Sequence, residues 1–402
     1  MRNSIVLLVV AGCSSSSSPS VTLLPDSPLP PDAGPTPVTL ATPLATGGLL
    51  VGIQDGDGPW TAIAPTSPGM YTFEVSHDRY GVAVTCLNAS AVTYPFVAVD
   101  EVAIADATSL TSSIECSAAL ADLSGTITPA TLQNLVVAWG DTIGYGDNGT
   151  FDVSAHGGSH DAIALTYDPA SGAYDAAVVQ RGVAAGSSPA LDFSGGGAQL
   201  EPHVVVATGA VDQVSTAAIL STTDGTNVET SYGSPDQVEY VPQSLLVATE
   251  RYATVTYGLG ADGHYANHIH VSHTIGDSTA DLSATTTQPT VGWVDVSPIV
   301  RLQASWTAQA GAGAYVLVAT ANNSQWQLEV SPQYDEQPGP VTLAIPDLDN
   351  LAGFPSSLDL PPSVDYAVAA VSGGTYAMLA DFGPFTPDGD YSVAGWSGSV
   401  TQ

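Results

Sequence analysis

The feature that most limits what this chain can become is the brevity of its apolar runs. LLVGIQ, YTFEV, GVAVTC, TFDVS, AIALTY, AYVLVAT and DYAVAAV are each five to seven residues long, and Gly, Asp, Asn, Ser and Pro separate them. Alternation at every second position places side chains on one face of an extended strand. Helical spacing of apolar residues does not persist beyond about ten residues anywhere in the chain. Short strands with frequent turn residues predict an all-β chain built of several antiparallel β-sandwich modules. In IQDGDGPWTAI an Asp-Gly turn stands between two such runs, which is the pattern of a hairpin.

The N-terminus has a different character. Arg2 precedes the apolar run Ile5 to Val10, which stops at Ala11-Gly12. A membrane-spanning helix needs about 20 apolar residues, so this run reads as an export signal. Val10-Ala11-Gly12-Cys13 resembles the lipobox of bacterial lipoproteins: a branched aliphatic residue, two small residues, then cysteine. The resemblance implies cleavage after residue 12 and attachment of acyl chains such as palmitate to Cys13. It also implies a place in the cell envelope, on the outer membrane where the cell has one, since no aspartate follows Cys13. Residues 13–37 hold the run of five serines and seven prolines. Such a chain is flexible to semi-rigid and builds no core, so it reads as a tether.

The remaining length suffices for several modules, with 44% apolar residues in a chain of 402. Charge is sparse and one-sided: 11% of residues are charged, against about 25% in ordinary globular proteins. Five arginines, no lysine and 39 acidic residues give a net charge of −34. That balance repels phosphate backbones, which excludes nucleic acid as a partner. It leaves the membrane, through the anchor, and envelope or extracellular polymer as expected partners.

With Cys13 lipidated, Cys86 and Cys116 remain as a pair. Tyr80, Val82, Val84 and Cys86 share parity, as do Ile114 and Cys116, so both thiols are expected on core-facing strand positions. Outside the cytoplasm they are expected to form a disulfide. The alternative is two buried free thiols.

Four modules follow the tether: 38–120, with the cysteine pair; 121–202; 203–288; and 289–402. In the second, LSGTITP, NLVVAWG, GTFDVS and ALDF, with Asn148-Gly149-Thr150-Phe151 at a turn, resemble the small β-sandwiches related to carboxypeptidase regulatory domains. The last resembles a fibronectin type III domain, an Ig-like sandwich: Trp306 in RLQASW, Leu348 before the late strands and Tyr366 opening DYAVAAV stand at the matching positions. Its connection LDNLAGFPSSLDLPPS is longer than in that family. The resemblance implies an architectural or adhesive role. The segment 203–288 is either one sandwich or the completion of a neighbour's sheet.

Candidate chemistry concentrates in HYANHIHVSH, which carries His264, His268, His270 and His273. On a strand His268 and His270 share a face about 6.6 Å apart. That spacing suits two imidazoles on one zinc ion, with His264 folding back from GLGADG as a third ligand. The expectation is a strand with both histidines outward and Ile269 and Val271 inward. No HExxH glutamate accompanies them, so a zinc-peptidase base is lacking. His156 and His160 are expected to flank a hairpin turn. The acidic turns at Asp55–Gly58, Asp147–Gly149 and Asp388–Asp390 offer oxygen ligands to calcium but complete no EF-hand loop. GWSGS lacks the nucleophile-elbow spacing, and no P-loop or dinucleotide fingerprint is present. The sequence therefore points to a lipid-anchored, exported surface protein without catalytic residues or an obligate cofactor. Its alternatives are carbohydrate binding through Trp60, Trp326 and Trp396, or a metal-dependent or carboxylate hydrolase on a β scaffold.

Overall fold

The computed structural model describes residues 34–42, 48–87, 96–112, 114, 116, 120–140, 142–156, 158–168, 173–296, 299–321, 324–334, 340–355, 358, 360–376 and 388–402. The export signal, Cys13 and most of the tether lie outside these residues. The fold is all-β. Its spine is one twelve-stranded sheet in the order Asn227–Gly233, Gln213–Ser221, Arg251–Leu259, His264–Ser272, Gly389–Thr401, Ser363–Ser372, Ala312–Ala321, Ser324–Val330, Phe96–Ala103, Arg79–Cys86, Leu49–Asp55 and Thr61–Ile63. The sequence divides the chain at 120/121, 202/203 and 288/289, but backbone pairing does not follow that division. Strands from 38–120, 203–288 and 289–402 join edge to edge. One join is antiparallel, between His264–Ser272 and Gly389–Thr401. The other is parallel, between Ser324–Val330 and Phe96–Ala103.

Two smaller sheets cover this spine on opposite faces. Thr290–Val296, Ile299–Thr307 and Pro340–Ala344 form a three-stranded sheet against one face. With the four strands 312–321, 324–330, 363–372 and 389–401 it makes the sandwich expected of 289–402, and Trp306, Leu348 and Tyr366 meet in its core. Met70–Val75, Thr36–Ala41 and Ser109–Thr111 cover the other face over 49–103. The strand Arg79–Cys86 shows the consequence. Tyr80, Val82 and Val84 enter one core and Ala83 the other, so every residue after Arg79 is buried. A strand covered on both faces needs apolar side chains on both.

The long connection after Leu348 closes the first core. Leu348, Leu351 and Leu358 are buried among Leu50, Val97, Trp326 and Leu328, and Trp326 Nε1 donates to the Leu358 carbonyl at 2.7 Å. Leu351 sits over Gly52, where a Cβ would lie 2.7 Å from its Cδ2. The extra length thus spans the parallel join from the C-terminal strands to the N-terminal ones.

Residues 120–199 form a separate eight-stranded sheet around Trp139, Phe151, Leu123 and Leu191. Its Asn148-Gly149 turn has φ values of 51° and 85°, which asparagine and glycine tolerate best, and it joins Thr142–Asp147 to Thr150–His156 as a tight hairpin. The outer face is also apolar. Ala138, Ile163, Leu165 and Ala177 share a core with Leu220, Val228, Tyr240 and Tyr252 of 203–288. Arg181 crosses the same interface. Its Nη1 donates to Asp161 at 2.5 Å and to Glu250, and its Nη2 donates to Glu250 Oε2 at 3.0 Å and to the Leu245 carbonyl at 2.6 Å.

Cys86 and Cys116 form a disulfide with Cα atoms 5.4 Å apart. Both are buried, but Cys116 is not on a strand as its parity suggested: the preceding strand ends at Thr111. Replacing both cysteines by serine should lower unfolding stability by about 3 kcal/mol, since the bridge closes a loop of 30 residues; denaturant unfolding checks this. Arg181→Ala should cost a similar amount, about 3 kcal/mol, because Glu250 is fully buried and would lose its counter-charge. Glu250→Gln, which removes that charge, should recover part of the loss in the Arg181→Ala background.

Candidate functional site

The histidine stretch forms the strand His264–Ser272, paired with Arg251–Leu259 on one side and Gly389–Thr401 on the other. It is therefore an inner strand. His268 is only 7% exposed, and the expected outward position is corrected. On the opposite face Val271 is buried as expected, and Ile269 is half-buried. Alternation separates the two sets of side chains, but it does not reveal that layers cover both.

The four histidines go to three places. His268 Nε2 and His270 Nδ1 both donate to Asp390 Oδ1, at 3.2 and 2.8 Å. Asp390 lies in register with His270 across the join, and Asp388 beside it accepts from Arg251 Nε at 2.5 Å. His264 pairs with Asp262 and packs against the Trp396 ring at 5.8 Å. His273 Nδ1 donates to the Glu250 carbonyl at 2.9 Å, and its Nε2 accepts from Gln243. Neither His264 nor His273 joins His268 and His270. Among the described residues no group of three His, Cys, Asp or Glu side chains is arranged to hold a metal ion. A carboxylate oxygen lies between the two rings that were to clasp one. Chemically, the arrangement is a charge-assisted clasp between 203–288 and the C-terminal strand. Burial would raise the Asp390 carboxyl, but the hydrogen bonds and charges of His270 and His268 outweigh it and hold the group below its usual range.

His156 and His160 do not face each other across a hairpin. Thr150–His156 pairs with Thr142–Asp147 and Leu120–Thr128, whereas Ser159–Asp168 pairs with Leu135–Trp139 and Ala173–Ala184. The two strands are not partners of each other. His160 packs edge-on against Trp139 at 5.4 Å and lies 3.7 Å from Asp224 of the adjoining unit.

The acidic turns serve their own chain. Asp55 accepts from the backbone N–H groups of Ser76 and His77 at 3.1 Å and from His77 Nδ1 at 2.9 Å. Asp57 pairs with Arg79 at 2.7 Å, and Asp147 accepts from the Asn148 backbone at 2.9 Å. The tryptophans proposed as a sugar platform do not form one. Trp60 and Trp326 are core residues, and Trp396 is half-buried with its Nε1 donating to the Thr286 carbonyl at 3.1 Å. Two groups escaped the sequence reading: the Arg181 cluster, and a pair of carboxyls, Asp100 and Glu329, in register across the parallel join. The signal for the second was acids set inside apolar runs, Asp100 next to Glu101 in VAVDEV and Glu329 in WQLEV.

No protein-family model matches the sequence, and no curated protein is similar to it. Among solved structures, one adhesin, described as Ca2+-stabilized and as helping an Antarctic bacterium reach out and bind ice, is similar at 13% identity and a TM-score of 0.17, over 92% of this chain and 99% of that one. The FN1-FN3 domains of chicken CNTN1 are similar at 11% identity and a TM-score of 0.15, over 61% of this chain and 86% of that one. Likenesses at these scores carry no argument about function, which rests on the residues of this chain. No helix among the described residues is long and apolar enough to cross a membrane.

Asp390 titrates below its ordinary value in the folded state, so the stability it contributes is present above about pH 4 and is lost as pH falls through its folded value. Asp390→Asn should cost about 0.2–1 kcal/mol at neutral pH, the range for an exposed pair, and should flatten the acid limb of the stability curve. Urea unfolding between pH 2 and 7 checks both, with the range chosen to bracket the carboxylate titration.

Proposed function

We propose that the chain is an exported surface protein, held to the envelope by acyl groups on Cys13, whose β-sandwich body has an adhesive or structural role. The observation that carries this reading is the continuity of the body. One sheet runs through three sequence segments, and the fourth is docked on it by an apolar core and a partly buried ion pair. Such a body suits bearing load between an anchor and a polymer. The charged side chains support the same reading. Arg79, Arg181, Arg251 and Arg301 all lie against carboxylates, from Asp57 to Asp347, and so hold the chain to itself. The rest of the acidic surface faces outward, where it repels anionic head groups and keeps the body off the membrane that the lipid grips.

The anchor and the role are tested together. In cells producing the full chain, the protein should partition with membranes and its N-terminal peptide should carry acyl mass on Cys13; Cys13→Ala should abolish both. Membrane partition equal in the two strains would overturn the anchor. Purified protein mixed with envelope polysaccharides should retain polymer without shortening it. Release of reducing ends, abolished by Asp100→Asn, would instead establish the carboxylate-hydrolase alternative.

A further inference from the structure

The parallel join has an unusual composition on one face. Ser324–Val330 pairs with Phe96–Ala103 over six register positions, from Gln325 opposite Phe96 to Val330 opposite Glu101. Trp326, Leu328, Val330, Val97 and Val99 point into the first core. Alternation therefore sends Gln327, Glu329, Ala98 and Asp100 to the other face, with Glu329 directly opposite Asp100. The next residues along this row are apolar: Val82 beside Asp100 and Val316 beside Glu329, both buried. Buried Tyr376 covers the pair, its hydroxyl donating to Asp100 Oδ1 at 2.7 Å, while Gln327 Nε2 donates to Glu329 Oε1 at 2.5 Å. The titratable groups that act on the pair are acids as well. Tyr376 feels both carboxyls, and Tyr80 feels Asp100 and Asp106. Among the described residues no arginine or histidine pairs with Asp100 or Glu329.

Two half-buried carboxylates on register-paired residues, flanked by buried valines and, among the described residues, without a cation, repel each other and are less well solvated than surface carboxylates. One proton held by the pair removes most of both costs. We propose that Asp100 and Glu329 form a proton-operated latch on the parallel join, closed while the pair holds a proton and loosened when both carboxyls ionise. Burial pushes both groups up, Asp100 to about 6, and Glu329, which also feels the Asp100 charge, to about 8. A carboxyl raised in the folded state contributes stability that is complete below its unfolded value, near 4.5 for Glu329, and lost as pH rises toward the folded value. The clasp at Asp390 has the opposite sense and weakens in acid. The two joins of the sheet thus respond to pH in opposite directions.

The test is hydrogen exchange of the full chain, read by mass spectrometry on peptides covering 96–103 and 324–330 and corrected for intrinsic exchange at each pH. In the wild type the opening constant of these peptides should rise by up to tenfold per pH unit between about pH 6 and 8, the response expected for one linked proton. In Glu329→Gln, which keeps the shape and removes the titration, it should stay flat. Equal pH responses in both proteins, or a flat wild type, would overturn the latch. If Glu329→Gln does not fold, Asp100→Asn serves instead: Glu329 then loses the Asp100 charge, and the rise should move to lower pH; an unmoved rise would overturn the latch. Infrared spectroscopy of the wild type supplies a readout free of substitution: a protonated-carboxyl band should be present at pH 6 and lost by about pH 9, and its absence at pH 6 would also overturn the proposal.

Discussion

Six parallel register pairs between Ser324–Val330 and Phe96–Ala103 hold this molecule together, and the rest of the architecture depends on them. They join segments far apart in sequence: the Ala103 N–H donates to Ser331 Oγ at 2.8 Å across 228 residues. Closing a loop of that length costs about 5 kcal/mol in chain entropy. Backbone hydrogen bonds alone offset little of it, because the unfolded chain makes equivalent bonds to water. The offset comes from what the join buries. Trp326, Leu328, Val97 and Val99 enter one core, and the connection from Leu348 to Leu358 is long enough to cap it. The same pairing places two carboxyls opposite each other on the far face, so the contact that unites the sheet also contains its least favourable electrostatics.

Charge elsewhere is used sparingly and mostly between distant segments. Arg181 links the 120–199 sheet to Glu250, Arg251 and the pair His268–His270 link 203–288 to the C-terminal strand, and Arg79 fastens the first hairpin. In a chain with five basic residues this leaves most of its carboxylates to solvent. That pattern fits a body stabilised by apolar cores and located by a few ion pairs, with an anionic exterior that disfavours anionic partners.

The sequence made strands, turns and the cysteine pair legible because these depend on local periodicity and parity. The Asn148-Gly149 hairpin and the shared core of Trp306, Leu348 and Tyr366 are of this kind. Sheet continuity was legible only as one of two alternatives for 203–288, whose strands do complete a neighbour's sheet; the parallel join was not legible. Edge-to-edge pairing uses the N–H and C=O groups that nearly every residue carries, so no residue type marks it. For the same reason His268 read as outward-facing: its burial depends on which strands and layers lie against it. Asp100 and Glu329 were visible as acids in apolar runs, but their register depends on a contact across the whole length of the fold. The excess length after Leu348, which weakened the fibronectin resemblance in sequence, proved to be core.

The central claim is that the N-terminal and C-terminal strands form one sheet rather than separate modules. Native-state hydrogen exchange in rising denaturant tests it most directly, by comparing Phe96–Ala103 and Ser363–Ser372, which lie on either side of the parallel join with two strands between them. The account predicts that amides in both strands exchange through the same opening, with equal free energies and equal denaturant slopes. Protection persisting in Ser363–Ser372 under conditions where Phe96–Ala103 exchanges freely would show two independent modules and contradict it.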